Sequence, residues 1–193
     1  MRCLLATQNR GKLRELEAVL EDRGLDLLTL EDLPELPDAV EDGLTFGANA
    51  RKKALHYHHL TRLPTIADDS GLAVDAIGGQ PGVYSARFAT TDAERITKLL
   101  RLLSSVEETD RGAQFVCAIC LCFSSDRLIE VEAEVHGRIT LEPQGSSGFG
   151  YDPVFYYPPF RRTFAELTAT EKNQVSHRAR ALSKLKEKLN SRV

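Results

Sequence analysis

Apolar positions along the 193-residue chain recur in two rhythms, one of strands and one of helices. Residues 3–7 (CLLAT) form a short apolar run ended by polar residues, as in a buried strand. Leu13, Leu16, Val19 and Leu20 then recur at helical spacing between Gly11 and Arg23, so the first strand feeds a first helix. Residues 25–29 (LDLLT) predict a second strand, and the proline-bearing stretch 31–43 predicts loop with one helical turn. Thr45 is placed to cap a helix running to about His59, with Phe46, Ala50, Ala54 and Tyr57 along one side.

Two short β-type runs, TIA and LAV, flank an acidic turn within residues 65–88, and a glycine-rich loop follows. Ile96, Leu99, Leu100 and Leu103 mark an amphipathic helix over 91–103. Residues 114–123 and 128–137 predict a hairpin around Ser-Ser-Asp. In its second strand Ile129, Val131, Ala133 and Val135 alternate with polar residues, as in a half-exposed sheet. Residues 143–164 predict an irregular aromatic loop. In the last helix Ser176 is placed as cap, and Ala179, Leu182, Leu185 and Leu189 form the buried face. Strands and helices alternate early and a hairpin comes later, which predicts an α/β fold with a mixed sheet. No repeat or linker divides the chain, so residues 1–193 are expected to form a single domain.

Composition narrows the partners. The formal charge of -3 argues against a basic nucleic-acid binder. No apolar run approaches the ~20 residues of a membrane span. The N-terminal MRCLLATQNRGK does not have the form of a signal peptide, so a cytoplasmic location is the default expectation. Cys117, Cys120 and Cys122 include a CxxC, but on a strand Cys117 faces away from the other two, which predicts small buried hydrophobes rather than a metal site. His56, His58 and His59 are expected on a solvated helix face.

Five clusters carry candidate chemistry, and each has a plain structural alternative. Thr7, Gln8, Asn9, Arg10, Gly11 and Lys12 lie where the first strand meets the first helix; free N–H groups there favour an anion, and an ordinary turn capped by Asn9 explains them as well. Ala6 and Leu13 stand where a Walker A loop needs glycine and Ser/Thr. Glu41, Asp42, Asn49, Lys52 and Lys53 form either a metal-and-phosphate group or a solvated helix. Asp68-Asp69-Ser70-Gly71 places two carboxylates together, at the cost of like-charge repulsion unless a cation offsets it. Phe149, Gly150, Tyr151 and Asp152 form either a stacking platform for a flat ligand or an aromatic loop packed on the core. Lys172, Ser176, His177 and Arg178 form either a polar recognition surface or the exposed start of a helix.

Together these stretches resemble one family. ATQNRGK, EDGLTFGANARKKA, ADDSGLAVDAIGGQPGVYSARFA, GSSGFGYDPVF and EKNQVSHRARAL occur in the order found in the inosine/xanthosine triphosphate pyrophosphatases, from residue 6 to residue 182. The resemblance implies a long mixed central sheet with flanking helices, two lobes around a deep cleft, and a homodimer. It implies hydrolysis of noncanonical purine nucleoside triphosphates to monophosphate and pyrophosphate, with Mg²⁺ as cofactor. By similarity Thr7, Asn9 and Lys12 bind the triphosphate and Lys53 adds a second cation. Asp69 is the implied base and metal ligand, with Asp68 and Glu41 as further metal carboxylates and Ser70 as a substrate contact. Phe149 and Asp152 resemble the base-binding loop, and Lys172, His177 and Arg178 the groups that read the purine. Ala48 stands where the family often has Glu, and Gln144 where it usually has Arg, which implies altered kinetics rather than lost activity. Competing expectations are a non-catalytic nucleotide sensor and a pyrophosphatase for other modified nucleotides.

Overall fold

The computed structural model describes residues 2–20 and 25–191. Strand β1 (Arg2–Leu5) leads into helix α1 (Arg10–Leu20), and β2 (Asp26–Thr29) follows. The expected end of that helix, residues 21–23, and the side chain of Val19 lie outside the described residues. Helix α2 (Phe46–Thr61) starts at Thr45, whose hydroxyl accepts from Ala48 N. After β3 (Thr65–Val74) and the two-residue β4 (Gln80–Pro81) comes α3 (Asp92–Leu102), opened by a reciprocal Thr91–Glu94 cap. Strands β5 (Gly112–Ser124) and β6 (Arg127–Ile139) extend the expected hairpin at both ends.

Two expectations change. The acidic pair lies inside one continuous ten-residue strand, β3, rather than at a turn between two short runs. Residues 143–164 include strands β7 (Phe155–Tyr157) and β8 (Arg162–Thr163), whose pairing gives the aromatic segment a sheet edge. The last helix, α5 (His177–Asn190), begins directly after Ser176 as expected, and a short helix that the pattern does not mark, α4 (Ala169–Val175), precedes it, with Ser176 extended between the two. The eight strands form one mixed sheet in the order β2-β1-β3-β5-β6-β7-β8, with β4 on β3. Strand β1 pairs in parallel with β2 and β3, while β6, β7 and β8 pair antiparallel. No helix among the described residues is long and apolar enough to cross a membrane.

The chain forms two compact units, Met1–Asp69 with Cys117–Ala133 and Arg178–Val193, and Ser70–Val116 with Glu134–His177. In the first, successive strand residues feed two cores on opposite faces of the sheet. Cys3, Leu5, Ile66, Cys117, Ile119 and Leu121 pack with Leu16 and Leu20 of α1 and Leu182 and Leu185 of α5. Leu4, Ala6, Ala67, Ala118, Cys120 and Cys122 pack with Ala50, Ala54 and Tyr57 of α2. Burial on both faces explains why β5 reads as an unbroken apolar run. The cysteines serve as small core residues, and burial pushes the Cys117 thiol up to about 12. The second unit has its own core, around Leu99, Phe115, Val135, Phe155 and Phe164.

The histidine group at the end of α2 is not simply solvated. His58 is buried and its Nδ1 donates to Leu63 O (2.7 Å), while His56 Nε2 donates to Pro37 O (2.7 Å). Both tie the helix to neighbouring loops.

Candidate active site

Strand alternation decides where each carboxylate of the pair looks. Asp68 continues the face of Ile66, toward α1 and α5; Asp69 continues the face of Ala67, toward α2. The repulsion expected at a turn is therefore relieved by pointing the two groups apart.

Asp68 is fully buried. Its Oδ2 takes Lys12 Nζ of α1 (3.0 Å) and Arg178 Nε of α5 (3.5 Å), and Arg178 also bonds Glu15. Burial alone would raise the Asp68 pKa, but Lys12, Arg178 and Lys53 overrule it and hold the carboxyl well below the usual range. Arg178, 1% exposed, is held well above its ordinary value despite burial, chiefly by Asp68. Glu15, not foreseen as part of the site, lies three residues after Lys12 on the same helix, a spacing that puts the two on one side.

Asp69 meets a different helix. Asn49 Nδ2 donates to Asp69 Oδ2 (2.9 Å), and Lys53, one turn further along α2, pairs with Glu41 (2.8 Å) and donates to Asp68 O (3.2 Å). Burial raises the Asp69 pKa; the Asn49 bond and the charges of Lys12 and Lys53 pull it partly back. Burial would lower that of Lys53, but Asp68 and Glu41 more than compensate and leave it raised. Asp42, the acid next to Glu41, pairs with exposed Lys52.

The strand-to-helix junction follows both of its expected readings in part. Asn9 Oδ1 accepts from Gly11 N (2.9 Å) and Lys12 N (3.1 Å), and Thr7 Oγ1 accepts from Asn9 N (3.2 Å). Asn9 is thus the helix cap, while Lys12 turns into the acidic cluster. Gln8 reaches Asp38 (3.3 Å) and Arg10 lies 3.7 Å from Glu31, both at the exposed surface.

The second unit holds a different group. Asp152 Oδ2 accepts from Phe149 N (2.8 Å) and from Lys172 Nζ of α4 (2.7 Å), and Lys172 Nζ also lies over the Phe149 ring, 4.5 Å from its centre. Asp152 and Lys172 are buried, whereas Phe149 is partly exposed. Gly148 has φ +80°, and a Cβ there would lie 2.1 Å from Asp152 Oδ2, so glycine is required for this closure. Gly150 N donates to Asp92 (2.7 Å), and the buried Tyr151 hydroxyl donates to Ser85 O (3.0 Å). His177 is buried and stacked on Phe115, ring centres 4.8 Å apart. Ser70, partly exposed, opens this unit's share of β3. Lys172 and His177 thus share a unit with Phe149 and Asp152, while Arg178 belongs to the cluster around Asp68.

Of the two departures, Ala48 lies in the first turn of α2, and Gln144 is an exposed residue whose backbone N–H donates to Pro153 O (2.8 Å). Among the described residues no three His, Cys, Asp or Glu side chains stand together as a ready metal site.

The model of the Ham1 family matches residues 3–188. A dITP/XTP pyrophosphatase of Geobacillus kaustophilus is 49% identical over 187 residues, covering 95% of this chain and 92% of that protein. The structure of a HAM1 protein from Coxiella burnetii superposes with a TM-score of 0.90 at 41% identity, over 99% of both chains. That of the nucleoside-triphosphatase / dITP/XTP pyrophosphatase from Mycobacterium abscessus gives 0.78 at 44% identity, over 96% and 97%. With a family match over nearly its whole length and relatives this close, the chain belongs to the Ham1 family.

Proposed function

We propose that the protein hydrolyses noncanonical purine nucleoside triphosphates, such as dITP, XTP and ITP, to the monophosphate and pyrophosphate. The observation that carries this reading is the division of labour at β3, where Asp68 gathers cations and Asp69 is held at the edge of burial on the other face. Lys12 and Lys53 bring positive charge to the same cluster, as phosphate binding needs.

In the proposed reaction a water oxygen attacks the α-phosphorus, the bond to the bridging oxygen breaks, and pyrophosphate leaves. Asp69 accepts the proton of that water; its raised pKa makes it a stronger base than an ordinary aspartate. Lys12 and Lys53 offset charge on the phosphate oxygens. The hard oxygen donors of Asp69 and Glu41 fit Mg²⁺, which takes one or two carboxylates and completes its shell with waters and substrate oxygens. Bound there, the ion would supply further positive charge to the phosphates. Asp68, also expected at the metal, has its charge offset by Lys12 and Arg178.

On the base side, Phe149 offers a ring for stacking and Lys172 and Asp152 a fixed donor and acceptor. Hypoxanthine and xanthine carry an oxygen acceptor at position six where adenine carries an amino donor, so a positioned donor favours the first two. The proposal includes a homodimer in the cytoplasm, which sedimentation and cell fractionation test.

The direct test incubates the purified protein with Mg²⁺ and, separately, ITP, dITP, XTP, ATP, GTP and dUTP, and resolves products by ion-exchange chromatography. Monophosphate and pyrophosphate are expected from the first three and little from the rest. Diphosphate with orthophosphate would move the cleaved bond. No turnover by folded protein would favour a nucleotide sensor.

A further inference from the structure

We infer that Asn49 is a positioning residue that fixes the plane of the Asp69 carboxylate, and that Gly43 is the device that sets Asn49. The inference rests on the reaction proposed above. Asn49 is completely buried on α2, one turn before Lys53. Its Oδ1 accepts from Gly43 N (2.7 Å) and its Nδ2 donates to Asp69 Oδ2 (2.9 Å). A side-chain amide has one accepting end and one donating end, and a backbone N–H can only be met by the oxygen. The Gly43 amide therefore decides which end of Asn49 faces Asp69, and the donating end is the one a carboxylate needs.

Gly43 has a steric part as well. A Cβ at this position would lie 2.6 Å from Asn49 Oδ1 and 3.0 Å from Ala48 Cβ, so any larger residue pushes the amide aside. Helix capping does not account for the Asn49 side chain, because Thr45 already accepts from Ala48 N and the Asn49 backbone bonds Thr45 O. The same amide also ties the irregular loop that carries Glu41 to the strand that carries Asp69. One buried side chain thus sets the spacing of two carboxylates that arrive from different parts of the chain.

The test measures dITP hydrolysis with Mg²⁺ for Asn49→Asp, Gly43→Ala, Asn49→Ala and the Gly43→Ala/Asn49→Ala double variant, beside Asp69→Asn. Asn49→Asp has the same shape and still accepts from Gly43, but it turns a carboxylate oxygen toward Asp69. Its kcat is expected to fall roughly 10–100-fold, as for supporting partners of reactive groups, with KM little changed, while Tm falls because a second carboxylate is buried against Asp69. Gly43→Ala is expected to lower kcat in the same direction though it removes no polar group, and the double variant to be no slower than the slower single one. A wild-type kcat for Asn49→Asp, a change confined to KM, or additive losses in the double variant would each overturn the inference. If Asp69→Asn turns over normally, the proposed reaction falls and this inference with it. If Asp69→Asn is inactive while Asn49→Asp is not, this inference alone falls.

Discussion

The two units solve the problem of a buried polar group in opposite ways. The first gathers Lys12, Lys53 and Arg178 against Glu15, Glu41, Asp68 and Asp69, a cluster made almost wholly of charges and supported by helices on both faces of the sheet. The second has a buried ion pair, Lys172–Asp152, set among aromatic rings and held by a glycine turn. Charges in the first group compensate one another, so removing one leaves a buried ion exposed to a low dielectric. In the second the apolar rings do most of the packing, and a ring offers a flat ligand both shape and dispersion. On the reading proposed above, the ionic cluster suits the phosphate end of a nucleotide, and a ring beside one fixed donor suits the base end.

Substitutions can separate the two ends. Asp69→Asn should have the largest effect, lowering kcat about 10²–10⁴-fold, the range for loss of a general base, while circular dichroism stays that of the parent. Near-normal turnover would remove Asp69 from the chemistry. Asp68→Ala comes next, leaving buried Arg178 and half-buried Lys12 without their shared anion. A loss of about 3–5 kcal/mol in urea unfolding is expected, and a loss under 1 kcal/mol would mean the cluster is more solvated than its burial implies. Arg178→Ala should destabilise similarly; if Arg178 also reads the purine, the same variant will discriminate less well against ATP.

Phe149→Ala should weaken dITP binding by about 1–3 kcal/mol, the worth of one stacked base. Inhibition by inorganic triphosphate should be untouched, and a parallel loss of that inhibition would erase the distinction between the ends. The smallest effect is that of pH. In the metal-free protein burial raises the Asp69 pKa, so Asp69 takes up its proton on acidification from above the ordinary aspartate value. The Asp68 pKa is depressed, so the stability it contributes is present above its unfolded value of 3.8 and is lost as pH falls through the lower folded one. Acid unfolding of Asp68→Asn followed by tryptophan-free near-UV signals or circular dichroism should lack that component.

Much of this was legible in the chain. The alternation of Ile129, Val131, Ala133 and Val135 predicted their burial, and Thr45 predicted the start of α2. The acidic pair was harder. Asp and Gly are poor strand residues, so DDSG between TIA and LAV suggests a turn, and only pairing partners reveal that the strand runs through. β7 and β8 were hidden for a related reason, since prolines and aromatics punctuate strands of only three and two residues. Lys12 and Lys53 are flagged by charge beside candidate phosphate loops. Glu15 is not, because it looks like an ordinary polar helix residue until the strand face it meets is known, and Asn49 is grouped with Lys53 without its partner Asp69 being foreseen. Helical spacing did hold the clue: Asn49 lies one turn before Lys53 and Glu15 nearly one turn after Lys12.

The placement of Asp68 and Asp69 on opposite faces of β3 also constrains how this segment can change over time. Side-chain direction in a strand has a period of two, so one residue gained or lost ahead of the pair would exchange their surroundings. The carboxylate meant for Lys12 and Arg178 would then look at Asn49, and its neighbour would be turned into the cation nest. Composition here can drift one substitution at a time, but length cannot drift by one; the spacing of the strand is itself part of the chemistry.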